Sequence, residues 1–293
     1  MALELEHETN KVRWPKGVRL PVVLTFEHQS GEGAPLYPGN RPNYMIGGAM
    51  QYGARRGIWN ILDLLEKYGI KATFLVVGST AENYPDQVKA ASKAGHEIAG
   101  LSYSFESLRT ASADRERSVI RRCAGVLEGL TGSRILGWRC PDYRLGPQTL
   151  DILAEEGFLW DSTLLNDDLP YVFDCGGQPL VEIPFTTSTA DKTFIGYPYP
   201  QRGGPYGLAN AWNNEFEILY AESETTPRFL ILSLQTWATG RPAPLRILRQ
   251  FLDRLAGHEE FWFAQSTEIA KWWLDHSMVT KSEGASHVEG KAS

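Results

Sequence analysis

The sequence predicts an α/β protein built as a distorted (β/α) barrel with seven or eight strands. Short apolar runs typical of buried strands alternate with helical patterns along almost the whole chain of 293 residues. About eight candidate strands are present, most of them followed by a helix, and no change in composition separates them. The alternative is an open doubly wound sheet, which is less favoured because no glycine-rich phosphate loop follows the first strand.

The first strand is RLPVVLTFE at 19–27, which is apolar on both faces, as expected for a buried parallel strand. A long Gly/Pro-rich stretch at 28–50 follows it. Its length favours a functional loop or a lid over a simple connection. The next segment, 55–69, has apolar residues at helical spacing and a glycine at its end, and it predicts the first helix.

The remaining elements repeat this alternation to the end of the barrel. The predicted strands are KATFLVVG at 71–78, HEIAGL at 96–101, ILGWR at 135–139, FLWDS at 158–162, LVEIPF at 180–185, FLILSL at 229–234 and EFWFAQ at 260–265. The predicted helices are 81–95, 114–132, 146–157, a helix around 215–224, 244–257 and 266–276. We therefore expect a single barrel domain at 1–276 and a disordered polar tail at 277–293.

Composition restricts the partners of the chain. A net charge of -6 argues against a nucleic-acid partner, which requires a basic face. No run is long and apolar enough to predict a membrane span, and the N-terminal segment lacks the apolar region of a signal peptide. The three cysteines form neither a disulfide framework nor a zinc spacing, which favours a cytoplasmic location. A small-molecule substrate is the expected partner.

Chemically active side chains follow several predicted strands, and the carboxyl ends of barrel strands carry active sites. The end of the first strand supplies Glu27 and His28, and the end of the third supplies Leu101 and Phe105. The end of the fourth strand supplies Arg139, Cys140 and Asp142, and the end of the seventh supplies Gln235 and Trp237. We take Glu27, His28 and Arg139 as the candidate catalytic residues. The other six are the candidate substrate-binding residues.

Several segments together resemble the motif series of the polysaccharide deacetylase (NodB-homology) superfamily. They are TFEH at 25–28, GHEIAGLSYSFESL at 95–108, GWRCPDYRLGPQTLDILAEEGFLWDS at 137–162 and DDLPY at 167–171. Two more segments, at 51–78 and 233–255, resemble the intracellular puuE-type allantoinases and cyclic imide hydrolases of that superfamily. The resemblance covers 14–276. It implies a distorted (β/α) barrel, hydrolysis of a non-peptide C–N bond and a homo-oligomer.

The resemblance also implies a metal site, from which this chain departs. In metal-dependent members the first strand ends in two aspartates, a catalytic base and a metal ligand, where this chain has Glu27 and His28. Their two histidine ligands correspond to Leu101 and Phe105, and the histidine usually assigned as general acid corresponds to Gln235. We expect neither a metal nor another cofactor, because a catalytic zinc site needs three protein ligands.

Without a metal, attack by water needs a carboxylate base, and Glu27 is the natural candidate. His28 can move a proton, provided that the strand ends or bulges so that both neighbouring side chains reach the site. Arg139 can hold an anionic substrate group or a developing oxyanion. The alternatives are that Glu27 pairs with a lid arginine such as Arg41 or Arg55, and that His28 is structural.

The candidate binding residues also allow two interpretations. Leu101, Phe105 and Trp237 form either the apolar wall of a small-molecule pocket or packing that fills a vacated metal site. Cys140 is either a buried, unreactive thiol or a nucleophile activated by its charged neighbour. Gln235 donates a hydrogen bond but cannot supply a proton.

Three functions remain open at this stage. The first is a metal-independent hydrolase of a small cyclic amide, imide or ureide, with Glu27 as base. The second is the same barrel used for a non-hydrolytic reaction such as proton transfer, elimination or decarboxylation. The third is a catalytically inactive binding subunit. Family resemblance favours the first, and the missing histidines favour the others.

Overall fold

The computed structural model describes residues 12–39, 41–196, 202–256, 258 and 260–285, with side chains as far as 277. The strands are β1 Leu20–His28, β2 Thr73–Val76, β3 Glu97–Gly100, β4 Gly137–Trp138, β5 Trp160–Asp161, β6 Tyr171–Cys175, β7 Gln178–Glu182, β8 Leu230–Gln235 and β9 Phe261–Ala264. The helices are α1 Tyr44–Tyr52, α2 Ile58–Tyr68, α3 Gly78–Asn83, α4 Pro85–Lys93, α5 Ala113–Thr131, α6 Thr149–Glu155, α7 Gly204–Glu222, α8 Thr236–Thr239, α9 Pro242–Leu255 and α10 Ser266–Ala285. A π-helical turn covers Gly53–Gly57, and 3₁₀ turns cover Pro141–Tyr143 and Asp191–Thr193.

The strands form one sheet in the order β6-β7-β5-β4-β3-β2-β1-β8, with β9 paired to the first half of β1. All described ladders are parallel except the β6–β7 hairpin. The sheet curls strongly. Three strands lie between β4 and β8, yet Arg139 at the end of β4 donates to Ser233 of β8 at 3.0 Å. The predicted α/β barrel architecture is therefore confirmed.

The sheet does not close into a ring within the described part of the chain. Its path ends at β6 and β8, and no described ladder joins these ends, so the distorted barrel is an open, curled sheet. Two strands inside the sheet, β4 and β5, have only two residues each. A cavity of about 520 Å³ lies at the seam, between Phe185 after β7 and Ile231 of β8.

Side-chain alternation along β1 separates two hydrophobic layers. Leu24 and Phe26 point outward and pack with the surrounding helices, whereas Val23 points inward with Leu75 and Leu101. All nine residues of β1 are buried, as the apolar run on both faces predicts.

The strand β6 was missed by the sequence analysis. It pairs with β7 through a turn at Gly176 and Gly177, both of which have positive φ. Two adjacent glycines between short strands are a hairpin signal, because type I′ turns need positive φ at both central positions. The helix α1 also begins inside the predicted loop 28–50, where the Asn43 side chain accepts a hydrogen bond from the Ile46 N–H at 3.1 Å and caps the helix.

The C-terminal helix α10 continues to Ala285, into the segment for which a disordered tail is predicted. The expectation is corrected for this part, since 277–283 contains neither Pro nor Gly to end the helix. Residues 286–293 of the predicted tail lie outside the described residues. Within the described ranges, no helix has the length and apolar character that a membrane crossing requires.

Gly57 lets the π-helical turn approach α8 closely. A Cβ atom at this position would lie 2.1 Å from the carbonyl oxygen of Thr236, a backbone atom that cannot move aside cheaply. We expect Gly57→Ala to destabilise the protein by about 3 kcal/mol through overpacking, as measured by chemical denaturation. The matched control is Gly125→Ala in α5, where a Cβ meets nothing within 4 Å and stabilisation of up to about 1 kcal/mol is expected. Equal effects of the two substitutions would contradict this packing argument.

Candidate active site

Glu27 lies at the carboxyl end of β1 and points to the inside of the curled sheet. Only 2% of the residue is exposed. One carboxylate oxygen, Oε1, is 3.4 Å from Arg139 Nη1, and the other accepts a hydrogen bond from Gln235 Nε2. The sequence-predicted Glu27, Arg139 and Gln235 therefore come together in the structure.

The amide of Gln235 is oriented by its neighbours. Its oxygen accepts from Trp237 Nε1 at 3.2 Å and from Gln29 Nε2 at 3.4 Å, so its NH₂ group faces Glu27. The backbone N–H of Gln235 donates to Asp191 Oδ2 at 2.8 Å. Gln235 thus fixes the carboxylate of Glu27 from the side of β8, and Trp237 supports this position.

Arg139 is fully buried, and each of its guanidinium nitrogens donates to the protein. Nε donates to the Ser162 carbonyl at 2.7 Å, Nη2 to Ser162 Oγ at 2.8 Å and Nη1 to Ser233 Oγ at 3.0 Å. The ring of Phe185 covers the guanidinium at 4.2 Å. Arg139 is therefore held by the protein and by Glu27, and its contact with a substrate anion stays a prediction.

His28 points to the opposite face of β1, towards the helices. Its Nε2 is 2.8 Å from Gln87 Oε1 and its Nδ1 is 3.0 Å from Thr236 Oγ1. Gln87 donates through its own nitrogen to the Ala54 carbonyl, so its oxygen must accept and His28 carries its proton on Nε2. The strand does not bulge between Glu27 and His28. The prediction of His28 as a catalytic residue is corrected, because strand alternation places it outside the site.

Burial lowers the pKa of His28 from 6.5 to about 4. As the pH falls below 6.5, the unfolded chain takes up a proton that the folded chain excludes, so stability is lost between pH 6.5 and 4. We expect His28 to account for a loss on the order of 3 kcal/mol over this range. Denaturant unfolding of the wild type and His28→Gln at several pH values measures it. An equal pH dependence in both proteins would contradict this role.

Leu101 and Phe105 face the inside of the sheet beyond β3. Leu101 is fully buried in the inner hydrophobic layer, and Phe105 packs against the same layer. The loop after β1 covers Phe105, since a Cβ on Gly33 would lie 2.7 Å from its ring. Phe105 and Ser102 have φ values of 62° and 65°, so this segment is held in the left-handed region that non-glycine residues rarely adopt. These side chains form an apolar wall.

Cys140 and Asp142 make none of the described contacts with Glu27 that Arg139 and Gln235 make. Cys140 is buried in the outer layer, its sulfur accepts from Trp138 Nε1 at 3.4 Å, and burial raises the pKa of its thiol. Its predicted contact with substrate is corrected, and the geometry favours the unreactive thiol. Asp142 is half-exposed at the mouth of the site, where it pairs with Lys192 at 3.3 Å and with Arg144 at 3.5 Å.

Lys192 and Tyr143 belong to the site but were missed by the sequence analysis. Lys192 lies on the 3₁₀ turn Asp191–Thr193, which Asp191 fixes by accepting from Thr239 Oγ1 at 2.6 Å. Burial alone would lower the pKa of Lys192, but the charges of Glu27 and Asp142 raise it, so its ammonium group remains charged. The Lys192 Nζ atom is 4.5 Å from the centre of the Tyr143 ring. Tyr143 lies in the segment 137–162 that carries the family resemblance, whereas nothing in the sequence around Lys192 indicates a site.

The side chains around Glu27 do not fit a catalytic metal. Glu27 is paired with a guanidinium, His28 faces away, and the two positions after β3 offer only the apolar side chains of Leu101 and Phe105. Lys192 adds a second positive charge. Across the described residues, no group of three or more His, Cys, Asp or Glu side chains has an arrangement that could hold a metal ion. A divalent cation would meet two positive charges here and too few donors.

A curled, mostly parallel α/β sheet with a buried carboxylate at the carboxyl ends of its strands defines a protein of the polysaccharide deacetylase fold class. A family model described as polysaccharide deacetylase matches residues 43–159. The crystal structure of PuuE allantoinase superimposes with a TM-score of 0.80 and 30% identity, over 89% of this chain and 92% of that chain. The chain belongs to the polysaccharide deacetylase family.

Two further relatives are deacetylases by name. The peptidoglycan deacetylase-like protein FGM2 of Gibberella zeae is 30% identical over 181 residues, which are 61% of this chain and 51% of that protein. The chain thus spans about half the length of this relative. The peptidoglycan deacetylase of Helicobacter pylori is 24% identical over 247 residues, 74% of this chain and 84% of that protein. The family is one of deacetylases and related hydrolases.

Proposed function

We propose that the protein is a metal-independent hydrolase of a non-peptide C–N bond in a small cyclic amide, imide or ureide, with Glu27 as general base. The observation that carries this proposal is the buried carboxylate of Glu27, fixed between Arg139 and Gln235 inside an apolar wall. The similarity to PuuE allantoinase over 92% of that chain supports it, because allantoin contains a cyclic ureide.

The chemistry follows from the position of Glu27. Its carboxylate takes a proton from water while the water oxygen adds to the substrate carbonyl carbon, giving a tetrahedral oxyanion. The oxyanion collapses, the C–N bond breaks, and the proton held by Glu27 passes to the departing nitrogen. In a cyclic imide or ureide this nitrogen remains bonded to a second carbonyl group, which stabilises it as a leaving group. Water and the ring are thereby converted into an open-chain acid.

Burial of the site favours a small substrate over a polymer. Glu27 has 2% of its surface exposed, and the loop around Gly33 lies against Phe105 beside it. A small ring can reach a carboxylate that is buried to this extent more easily than a polysaccharide chain, which needs an open groove. The similarity to the allantoinase therefore supports the proposal more than the similarity to the deacetylases does.

Location and partners belong to the same proposal. The three cysteines are free thiols in the structure, and two of them are buried, which supports a reducing, cytoplasmic compartment. A small-molecule substrate is part of the proposal, and the burial of Glu27 supports it. A homo-oligomer is retained as part of the proposal on the basis of family resemblance.

Turnover assays with succinimide, hydantoin and allantoin in the presence of a chelator test the proposal. We expect hydrolysis of at least one of them at an unchanged rate when the chelator is added. An oligomer of N-acetylglucosamine serves as the comparison substrate and should not be deacetylated. Loss of activity with chelator and recovery with zinc would remove the metal-independent mechanism. If none of the three ring compounds is hydrolysed, a non-hydrolytic reaction or a binding subunit is favoured.

A further inference from the structure

The site contains one positively charged side chain that the protein leaves available. The side chain of Lys192 is 25% exposed, and its ammonium group donates to Asp142 Oδ1 at 3.3 Å and faces the Tyr143 hydroxyl group. An ammonium group has three N–H donors. At least one donor of Lys192 is therefore left to meet a ligand in the site.

The neutralising partner of Lys192 is shared. Asp142 also pairs with Arg144 Nη2 at 3.5 Å, and 41% of the Asp142 side chain is exposed. Its one negative charge is divided between two cations and is screened by water. The group of Lys192, Asp142 and Arg144 therefore carries a net positive charge at the mouth of the site.

Tyr143 adds a second unused donor. Its hydroxyl group is buried and faces the ammonium group of Lys192, which can only donate to it, so the hydroxyl proton has no acceptor among the described residues. Its ring packs against Phe185 at 5.3 Å, and Phe185 in turn covers Arg139, so the ring belongs to the wall of the site. A buried hydroxyl whose proton has no acceptor is uncommon, and in the wall of a site it is a donor available to a ligand.

The backbone that presents these groups is strained. Asp142 and Tyr143 have φ values of 47° and 61°, two consecutive non-glycine residues in the left-handed region. Such a conformation is energetically unfavourable and persists at functional sites when the surrounding structure enforces it. The strain places the Tyr143 ring beside Lys192.

We propose that Lys192 and Tyr143 form an anion subsite that binds a negatively charged substrate oxygen. The chemical identity of this oxygen rests on the proposed function: it is the developing oxyanion during attack and the carboxylate of the ring-opened product afterwards. Lys192 then takes the role that the sequence suggests for Arg139, whose guanidinium already donates to Ser162 and Ser233. Preorganised donors of this kind stabilise the transition state more than the neutral substrate.

The test uses Lys192→Met and Tyr143→Phe, each compared with Arg254→Met as a control. Arg254 pairs with Glu217 at 2.9 Å and lies on α9, outside the proposed subsite. Binding of succinamate, the product of succinimide hydrolysis, is measured by calorimetry, and succinimide turnover is measured in parallel. Tyr143→Phe removes a hydroxyl whose proton has no acceptor among the described residues, so folding is expected to be unaffected.

We expect Lys192→Met to weaken succinamate binding at least tenfold and to lower kcat about a hundredfold with little change in KM. Tyr143→Phe should lower both about tenfold. Lys192→Arg should restore part of the binding, and Arg254→Met should leave both quantities unchanged.

The possible outcomes separate this inference from the proposed function. If the wild type hydrolyses a ring and neither variant changes kcat or succinamate binding, the anion subsite is wrong and the hydrolase proposal stands. If no ring is hydrolysed but succinamate binding depends on Lys192, the subsite stands and the hydrolase proposal fails. Absence of both turnover and succinamate binding in the wild type overturns both.

Discussion

Replacing Glu27 with glutamine is expected to lower kcat for ring hydrolysis by about a thousandfold. Glutamine keeps the length and shape of the side chain but cannot accept a proton from water, and general base catalysis contributes about 10²–10⁴ in rate. No described imidazole faces Glu27 to replace it, because His28 is engaged by Gln87 and Thr236 on the other face of β1. The measurement is steady-state turnover of whichever ring the wild type hydrolyses.

The matched control for this substitution is Glu182→Gln. Glu182 is another buried glutamate of the same sheet, where its Oε1 accepts from the Leu164 N–H at 2.8 Å. Burial raises its pKa well above the ordinary value, so its neutral form is favoured and the amide is a close substitute. We expect unchanged turnover in this control. Equal activity of Glu27→Gln and the wild type, with both folded by circular dichroism, would remove Glu27 as the base.

Replacing Arg139 with methionine is expected to destabilise the protein by about 3–5 kcal/mol. The substitution leaves the Glu27 carboxylate buried without its positively charged partner, and it removes the donors to Ser162 and Ser233. Removal of one member of a buried ion pair costs this much because the remaining charge is uncompensated. The free energy of unfolding from denaturant titration measures the effect.

An exposed ion pair provides the comparison. Arg254 and Glu217 are 2.9 Å apart on the surface, and Arg254→Met should change stability by less than about 1 kcal/mol. The double variant Glu27→Gln with Arg139→Met should be more stable than Arg139→Met alone, since it no longer buries an unpaired charge. If the effects of the two substitutions on the free energy of unfolding simply add, the double variant is less stable than Arg139→Met by the full effect of Glu27→Gln. This result would show that the two residues do not interact.

Sequence reasoning was most successful where strand periodicity applies. The buried run of β1 and the rule that active sites lie at the carboxyl ends of parallel strands place Glu27 and Gln235 near each other, and the structure joins them by a hydrogen bond. The same strand periodicity also excludes His28 from the face of β1 that carries Glu27. Adjacent residues of a regular strand point to opposite faces, and no bulge interrupts β1 before it.

The site residues that the sequence did not reveal lie outside regular elements. Lys192 is on a short 3₁₀ turn between β7 and α7, and its place depends on hydrogen bonds that Asp191 accepts from Gln235 and Thr239, residues more than forty positions further along the chain. No local pattern encodes such contacts. The surroundings of Arg139 could not be predicted either, because its hydrogen bonds to Ser162 and Ser233 form only when the sheet curls.

The seam between β7 and β8 has a consequence for how such proteins can diversify. A ring of strands has a diameter set by strand number and stagger, so widening it requires coordinated change around the whole circumference. Here the sheet stops at the β6–β7 hairpin on one side and at β8 on the other, with space left between them. Insertions at this gap can change the width of the interior while β1, the strand that carries Glu27, keeps its neighbours.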